Sequence, residues 1–223
     1  KKTLAFMVAQ ALNCQGTGEI PCGNCLACRK TIALKHPDVR VIAPEGSSIK
    51  IAQIRALKEE AAILPFEGKS RVYIFTSAED MTAEAANSFL IILEEPLPYV
   101  FFILLSNRPG LLLPTVRSRC QVLSFRPVPE KTIVSFLLDK KRDILPGEAR
   151  TVASLAQGSI GNALRLAEDS AIKDLRVKAM SFLPWLSVLG EEEIFLRAGE
   201  LAEERELTLF LDLLLLFLRD IML

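Results

Sequence analysis

The chain has 223 residues, half of them apolar and 24% charged, which is enough for a substantial core and too apolar for broad disorder. Its 27 basic residues balance 27 acidic ones, which argues against a stand-alone nucleic-acid binder and makes any contact with DNA local or shared with partners. The start, KKTLAFMVAQALNC, lacks an initiator Met and a cleavage-type pattern. The most apolar stretch, LFLDLLLLFL at 209–218, is too short to span a bilayer and carries Asp212, so no membrane role and a cytoplasmic location are expected.

Residues 2–13 read as a helix with apolar side chains on nearly every side (Leu4, Phe6, Met7, Val8, Leu12), and burial is expected. A cysteine-rich insert follows, and then Val39–Ile42 reads as a strand. Ser47 or Ser48 is placed to cap a helix carrying Ile51, Ile54 and Leu57 at helical spacing. The apolar run Val72–Phe75 predicts a strand covered on both faces. Thr82 then caps a helix through Ala85, Phe89, Ile92 and Leu93 that stops at Pro96. VFFILL at 100–105 predicts a third buried strand and CQVLSF at 120–125 a fourth. Leu12-Asn13 and Leu111-Leu112-Leu113 read as core, as does the small Cys120. This alternation is the pattern of a parallel α/β sheet.

From about residue 127 the composition changes. PVPEKTIVSFLLDKK, GEARTVASLAQG and SIGNALRLAED predict three consecutive helices, and more helical sequence follows from about 172, with Trp185, Leu186 and a Leu-rich run. The run closes on apolar Ile221-Met222-Leu223, as if the chain were cut where a partner surface belongs. The expected domains are 1–126, 127–171 and 172–223.

Cys14, Cys22, Cys25 and Cys28 have the spacing C-x7-C-x2-C-x2-C. Cys-x-x-Cys turns tightly enough to put two thiolates on one ion, and two further thiolates complete a tetrahedron with no water position. That describes a closed, structural zinc site; two disulfides or free thiols are the alternatives, disulfides being disfavoured in a reducing compartment. The single histidine, His36 in HPDV, suits capping or packing better than ligation, since four cysteines already fill the shell.

The strand 72–75 ends in Thr76-Ser77, where P-loop nucleotide hydrolases place acids that hold Mg²⁺. Lys1-Lys2-Thr3 opening a helix looks like the tail of a P-loop whose glycines would precede it. ALNC, the cysteine spacing, HPDV, AANSFLIILEEP, FILLSN, TVRSRCQ and AQGSIGNAL occur in that order. Together they resemble the bacterial clamp-loader subunits of the AAA+ class, over essentially the whole chain.

The resemblance implies an AAA+ domain with a zinc insert, a three-helix lid and the beginning of a helical collar. It aligns Thr76 and Ser77 with the Asp-Glu that holds Mg²⁺ in hydrolysing members, Lys1 with the P-loop lysine, and Lys2 with the hydroxyl residue that ligands Mg²⁺. Gly161 stands where motor subunits carry a phosphate-sensing arginine. With carboxylates, hydroxyl and arginine all replaced, no ATP hydrolysis is expected, while ATP binding stays open. Ser106 and Asn107 fall at the polar sensor position as relics, and Glu94-Glu95-Pro96, another family hallmark, reads as helix termination and a solvated face. Arg119, in TVRSRC, matches the arginine that the family points into a neighbour's nucleotide site; the bland reading is a surface or salt-bridged arginine.

The function implied is a non-hydrolysing clamp-loader subunit of the DNA polymerase III holoenzyme. Its partners would be the gamma/tau motor subunits and the delta subunit, with the sliding clamp and primed DNA reached through the complex. An ATP-hydrolysing gamma/tau-type subunit and a zinc-stabilised DNA-binding module are the alternatives.

Overall fold

A computed structural model describes residues 1–141, 143–168, 170–182 and 207–222. The chain forms two compact units, Lys1–Ser124 and Phe125–Leu223. Trp185, Leu186 and Leu223 lie outside the described residues.

The first unit holds helix α1 (Lys2–Asn13), α2 (Leu26–Ile32), strand β1 (Val39–Ile42), α3 (Ile51–Ala61), β2 (Arg71–Phe75), α4 (Ala83–Glu94), β3 (Val100–Leu104) and the short α5 (Pro114–Arg117). The strands form a parallel sheet in the order β1-β2-β3, with Phe75 opposite both Ile42 and Leu104. Alternation along β2 sends its side chains to opposite faces. Val72 and Ile74 pack on Ala5 and Ala9 of α1, while Tyr73 and Phe75 join Ile54, Leu57 and Phe89 from α3 and α4. Phe89 lies 5.1 Å from both Phe75 and Phe102, edge-on to the latter. Helices thus cover both faces of β2, which explains its unbroken apolar run.

Thr82 caps α4 as expected, its Oγ1 accepting from the Ala85 amide at 3.2 Å. Four other expectations fail for identifiable reasons. Residues 120–125 form no strand: among the described residues no edge pairs with them, and Val122, Leu123 and Phe125 are exposed. An extended run becomes a strand only where a neighbour takes its backbone hydrogen bonds. The buried face of α1 is Ala5, Ala9, Gln10 and Asn13, whereas Leu4, Met7 and Val8 are exposed, because close packing on the sheet selects the small residues. Neither Ser47 nor Ser48 caps α3: Ser48 closes a turn with Glu45, and Gln53 reaches back to the Lys50 amide (3.0 Å) and to Ala43 O (2.9 Å). Of the leucine triplet, Leu112 and Leu113 pack on the core and Leu111 is exposed.

Two buried polar residues tie the unit together. The Asn13 amide bridges both backbone groups of Ser70, donating to its carbonyl (3.0 Å) and accepting from its N–H (2.9 Å). Asp38 accepts from the amides of Phe66 (2.6 Å), Glu67 (2.9 Å) and Gly68 (2.8 Å), fixing the approach to β2. His36 is buried beside it, Nδ1 accepting from the Asp38 amide at 3.1 Å, which makes it a packed part of this turn.

In the second unit α6 (Glu130–Lys140), α7 (Pro146–Leu155) and α8 (Ile160–Glu168) share a core of Ile133, Leu137, Ala149, Val152, Ala153, Ala163 and Leu166. Helices α9 (Ser170–Phe182) and α10 (Leu207–Met222) pack a separate cluster, Leu175 and Ala179 against Phe210, Leu213 and Leu214. No described helix is long and apolar enough to cross a membrane.

Burial pushes the Asp38 carboxyl up, and the three amides with Arg71 more than reverse this, leaving it below the ordinary carboxylate value. A group depressed on folding stabilises above its unfolded value, and that contribution vanishes as pH falls through the folded one. Asp38→Asn should therefore cost about 1–3 kcal/mol at pH 7 and flatten the acid limb of stability below about pH 4, as measured by urea unfolding across pH. An acid limb identical to wild type would show that Asp38 does not control it.

Candidate functional site

The β2–β3 register decides what meets at the carboxyl edge of the sheet. Leu105 N–H donates to Phe75 O (2.8 Å) and Ala78 N–H to Leu105 O (2.9 Å), so the Thr76-Ser77 and Ser106-Asn107 turns lie side by side. Lys1 Nζ completes the group, donating to Ser106 O at 2.8 Å and Asn107 Oδ1 at 2.7 Å. Thr76 closes back on β1, its amide donating to Ile42 O at 3.0 Å. Ser77 leads into a single 3₁₀ turn, Ala78–Asp80. Lys2 and Thr3 are exposed in the first turn of α1.

The carboxylate in this corner is Glu79, to which sequence reasoning gave no role. Its Oε1 accepts from the Asn107 amide at 3.0 Å, and its Oε2 is buried without a hydrogen-bond partner. Burial pushes this carboxyl up, but the amide donors, Asn107 first, more than reverse it, and it stays ionised below the usual range. Asp80, next along, pairs with Arg108 at 3.4 Å. The corner therefore holds the Lys1 ammonium, the Glu79 carboxylate with one oxygen bonded to the Asn107 amide, and the hydroxyls of Thr76, Ser77 and Ser106.

Arg119 belongs to a different group. It follows α5, its amide donating to Val116 O at 3.1 Å. Its guanidinium donates to Glu94 Oε1 at 2.7 Å and to Thr115 O at 3.1 Å. Arg117 is exposed, and Cys120 packs partly buried against the core. Gly161 is the second residue of α8, in the other unit, and a Cβ there would meet open space.

The four clustered cysteines come together with their sulfurs within 4.8 Å of one another, and all five cysteines are free thiols. Cys14 ends α1, and Cys25 caps α2, its sulfur accepting from the Cys28 amide at 3.4 Å. Cys14 Sγ accepts from the amides of Gly16 and Cys22, and Cys22 Sγ from that of Cys25. Gly16 is required by close approach, since a Cβ would come within 2.8 Å of Cys22; Gly23 supplies a positive φ of 72°. Amide donors lower the Cys14 thiol and bring Cys25 down to about 6, whereas burial lifts Cys28 to about 12. Four convergent sulfurs, with amides favouring the thiolate at Cys14 and Cys25, fit a tetrahedral ion with bonds of about 2.3 Å and could hold a metal. His36 is not among them.

The family model described as DNA polymerase III, delta subunit, matches residues 1–129. The Bacillus subtilis protein "DNA polymerase III subunit delta'" is 33% identical over 226 residues, covering all of this chain and 68% of that protein. The chain belongs to the delta-prime family of DNA polymerase III subunits. A Mycobacterium tuberculosis "DNA polymerase III subunit gamma/tau" is 32% identical over 139 residues, covering 61% of the chain and 24% of that protein. A Thermotoga maritima "DNA polymerase iii, gamma subunit-related protein" of known structure is 27% identical, with a TM-score of 0.43 over 84% of this chain and 59% of that one.

The Glu79–Asn107 bond, from a carboxylate to a turn amide, should hold the Ser106-Asn107 turn shut. A charge-assisted hydrogen bond of about 1.5 kcal/mol corresponds to roughly tenfold in a local opening equilibrium. In Glu79→Ala, amide exchange at Asn107 should accelerate by about that factor while core amides such as Ile74 are unchanged. An unaltered Asn107 rate would show that the turn is held by other contacts.

Proposed function

We propose that this chain is a non-hydrolysing clamp-loader subunit that braces motor neighbours and supplies Arg119 to an adjacent ATP site. The observation that carries this reading is the tip of β2. Thr76 and Ser77 offer hydroxyls where Mg²⁺ and the attacking water need carboxylate charge, and the nearby Glu79 spends one oxygen on the Asn107 amide. Lys2 in place of a metal-ligating hydroxyl and Gly161 in place of a phosphate-sensing arginine support it. Lys1, Ser106 and Asn107 then keep a nucleotide-site architecture closed by internal hydrogen bonds. We take residues 1–126 as the AAA+ domain, 127–171 as the lid and 172–223 as the start of a collar.

The partners in this reading are gamma/tau and delta subunits, with sliding clamp and primed DNA engaged through the complex, in the cytoplasm. The likeness to gamma/tau proteins favours a second reading, an ATP-hydrolysing subunit, which intrinsic turnover by the full-length protein would establish. A DNA-binding module finds little support in a chain with no net charge.

Two measurements test the proposal. In a complex assembled from the full-length protein, its motor subunits and the remaining clamp-loader subunit, Arg119→Ala should abolish the share of clamp- and DNA-stimulated ATP turnover contributed by the site it feeds. A finger in trans is worth about 10³–10⁵ in rate, so that site should fall essentially silent. Undiminished turnover with assembly intact would leave a scaffold. For the cysteine site, we propose zinc in a structural role: protein purified without chelator should carry about one equivalent by elemental analysis, and less than half would overturn it.

A further inference from the structure

The geometry points to Glu94 as the positioning residue for Arg119, an inference that rests on reading Arg119 as the finger. Glu94 is the last residue of α4, 25 positions before Arg119 in the chain, and its Oε1 lies 2.7 Å from Nη2. An acid at a helix C-terminus opposes the helix dipole, and the last turn of α4 carries no basic residue to offset it. The local helix gives no reason for a carboxylate there; the guanidinium does.

The rest of the arginine is fixed as well. Its backbone sits in a turn anchored by buried Val116 and by Cys120, which packs on the core, with Ser118 N–H bonded to Pro114 O (2.9 Å) and Cys120 N–H to Arg117 O (3.2 Å). Thr115 O takes an Nη1 hydrogen at 3.1 Å. A guanidinium has five N–H donors in one plane. Two are used by Glu94 and Thr115 on its own chain, and the side chain as a whole is 37% exposed. An unheld arginine must lose its rotamer freedom each time it meets a phosphate. Glu94 lowers that cost by holding Nη2, while the donors not used within the chain remain for phosphate oxygens. Adjacent Glu95, also exposed, serves as the control.

The experiment uses the same assembled complex and the same stimulated turnover. Misplacement of a positioned group by about 1 Å can cost up to ~10²-fold, so Glu94→Ala should lower the Arg119-dependent share of kcat by roughly tenfold with KM for ATP unchanged. Glu94→Gln, which keeps an acceptor oxygen, should restore most of it, and Glu95→Ala should match wild type. Adding Glu94→Ala to Arg119→Ala should cause no further loss. Undiminished or raised turnover in Glu94→Ala, with Arg119→Ala impaired, overturns the positioning role alone. A loss that persists in the Arg119→Ala background also overturns it, since Glu94 would then act elsewhere. If Arg119→Ala is itself without effect, the finger reading falls and this inference falls with it.

Discussion

The parallel register of β2 against β3 is the constraint from which the polar corner around Lys1, Thr76 and Asn107 follows. Because Phe75 stands opposite Leu104, both strands end at the same level, and the turns that leave them are forced together. Had the register slipped by one residue, Tyr73 and Phe75 would have exchanged faces with Val72 and Ile74, and the small-residue seat of α1 would meet two aromatic rings. That penalty fixes the corner more firmly than any polar contact within it. The polar groups then settle into the geometry given: an ammonium on a carbonyl and an amide oxygen, a carboxylate on a turn amide, a hydroxyl residue tied back to β1.

This division of labour accounts for what could be read in advance. The strand at 72–75 was legible because a parallel strand covered on both faces must be apolar throughout, while those at 39–42 and 100–104 were legible from short apolar runs even though Arg40, Val41 and Phe101 are exposed. The start of α4 was legible because a threonine cap acts within four residues. The run at 120–125 carries the same apolar signal, yet Val122, Leu123 and Phe125 are exposed and unpaired. Composition reports that a segment calls for cover; it does not report whether an edge is there to provide it. The exposed Leu4, Met7 and Val8 of α1 make the same point, since large side chains suggested the buried face while Ala5 and Ala9 supplied it.

The candidate sites split along similar lines. Cysteine spacing is local, and the convergence of four sulfurs follows from two short turns and one glycine-containing loop. The placement of Thr76, Ser77 and Lys1 follows from a strand end and a helix start, both visible in sequence. Glu79 and Glu94 were not legible as partners. The first meets Asn107 across 28 residues and the second meets Arg119 across 25, and in each case the pair is made by tertiary packing that leaves no periodic trace. Glu94 did leave one local sign, an acid at a helix C-terminus with no basic residue in the last turn.

An arginine held by a carboxylate looks poorly suited to binding phosphate, since its charge is already answered. The magnitudes resolve this. A half-exposed ion pair such as Arg119–Glu94 contributes about 0–1 kcal/mol, because water screens the attraction and ordering two side chains offsets much of it. A guanidinium stabilising charge that develops on a transferring phosphoryl group contributes about 4–7 kcal/mol, the equivalent of 10³–10⁵ in rate. If Arg119 acts as the proposed finger, the internal pair is too weak to withhold it from a phosphate, while it can still bias the arginine toward one rotamer beforehand. A fully buried partner would have reversed that order, because breaking or sharing a desolvated pair costs several kcal/mol. Partial exposure at the end of α4 is thus the condition under which one acid can orient an arginine without capturing it.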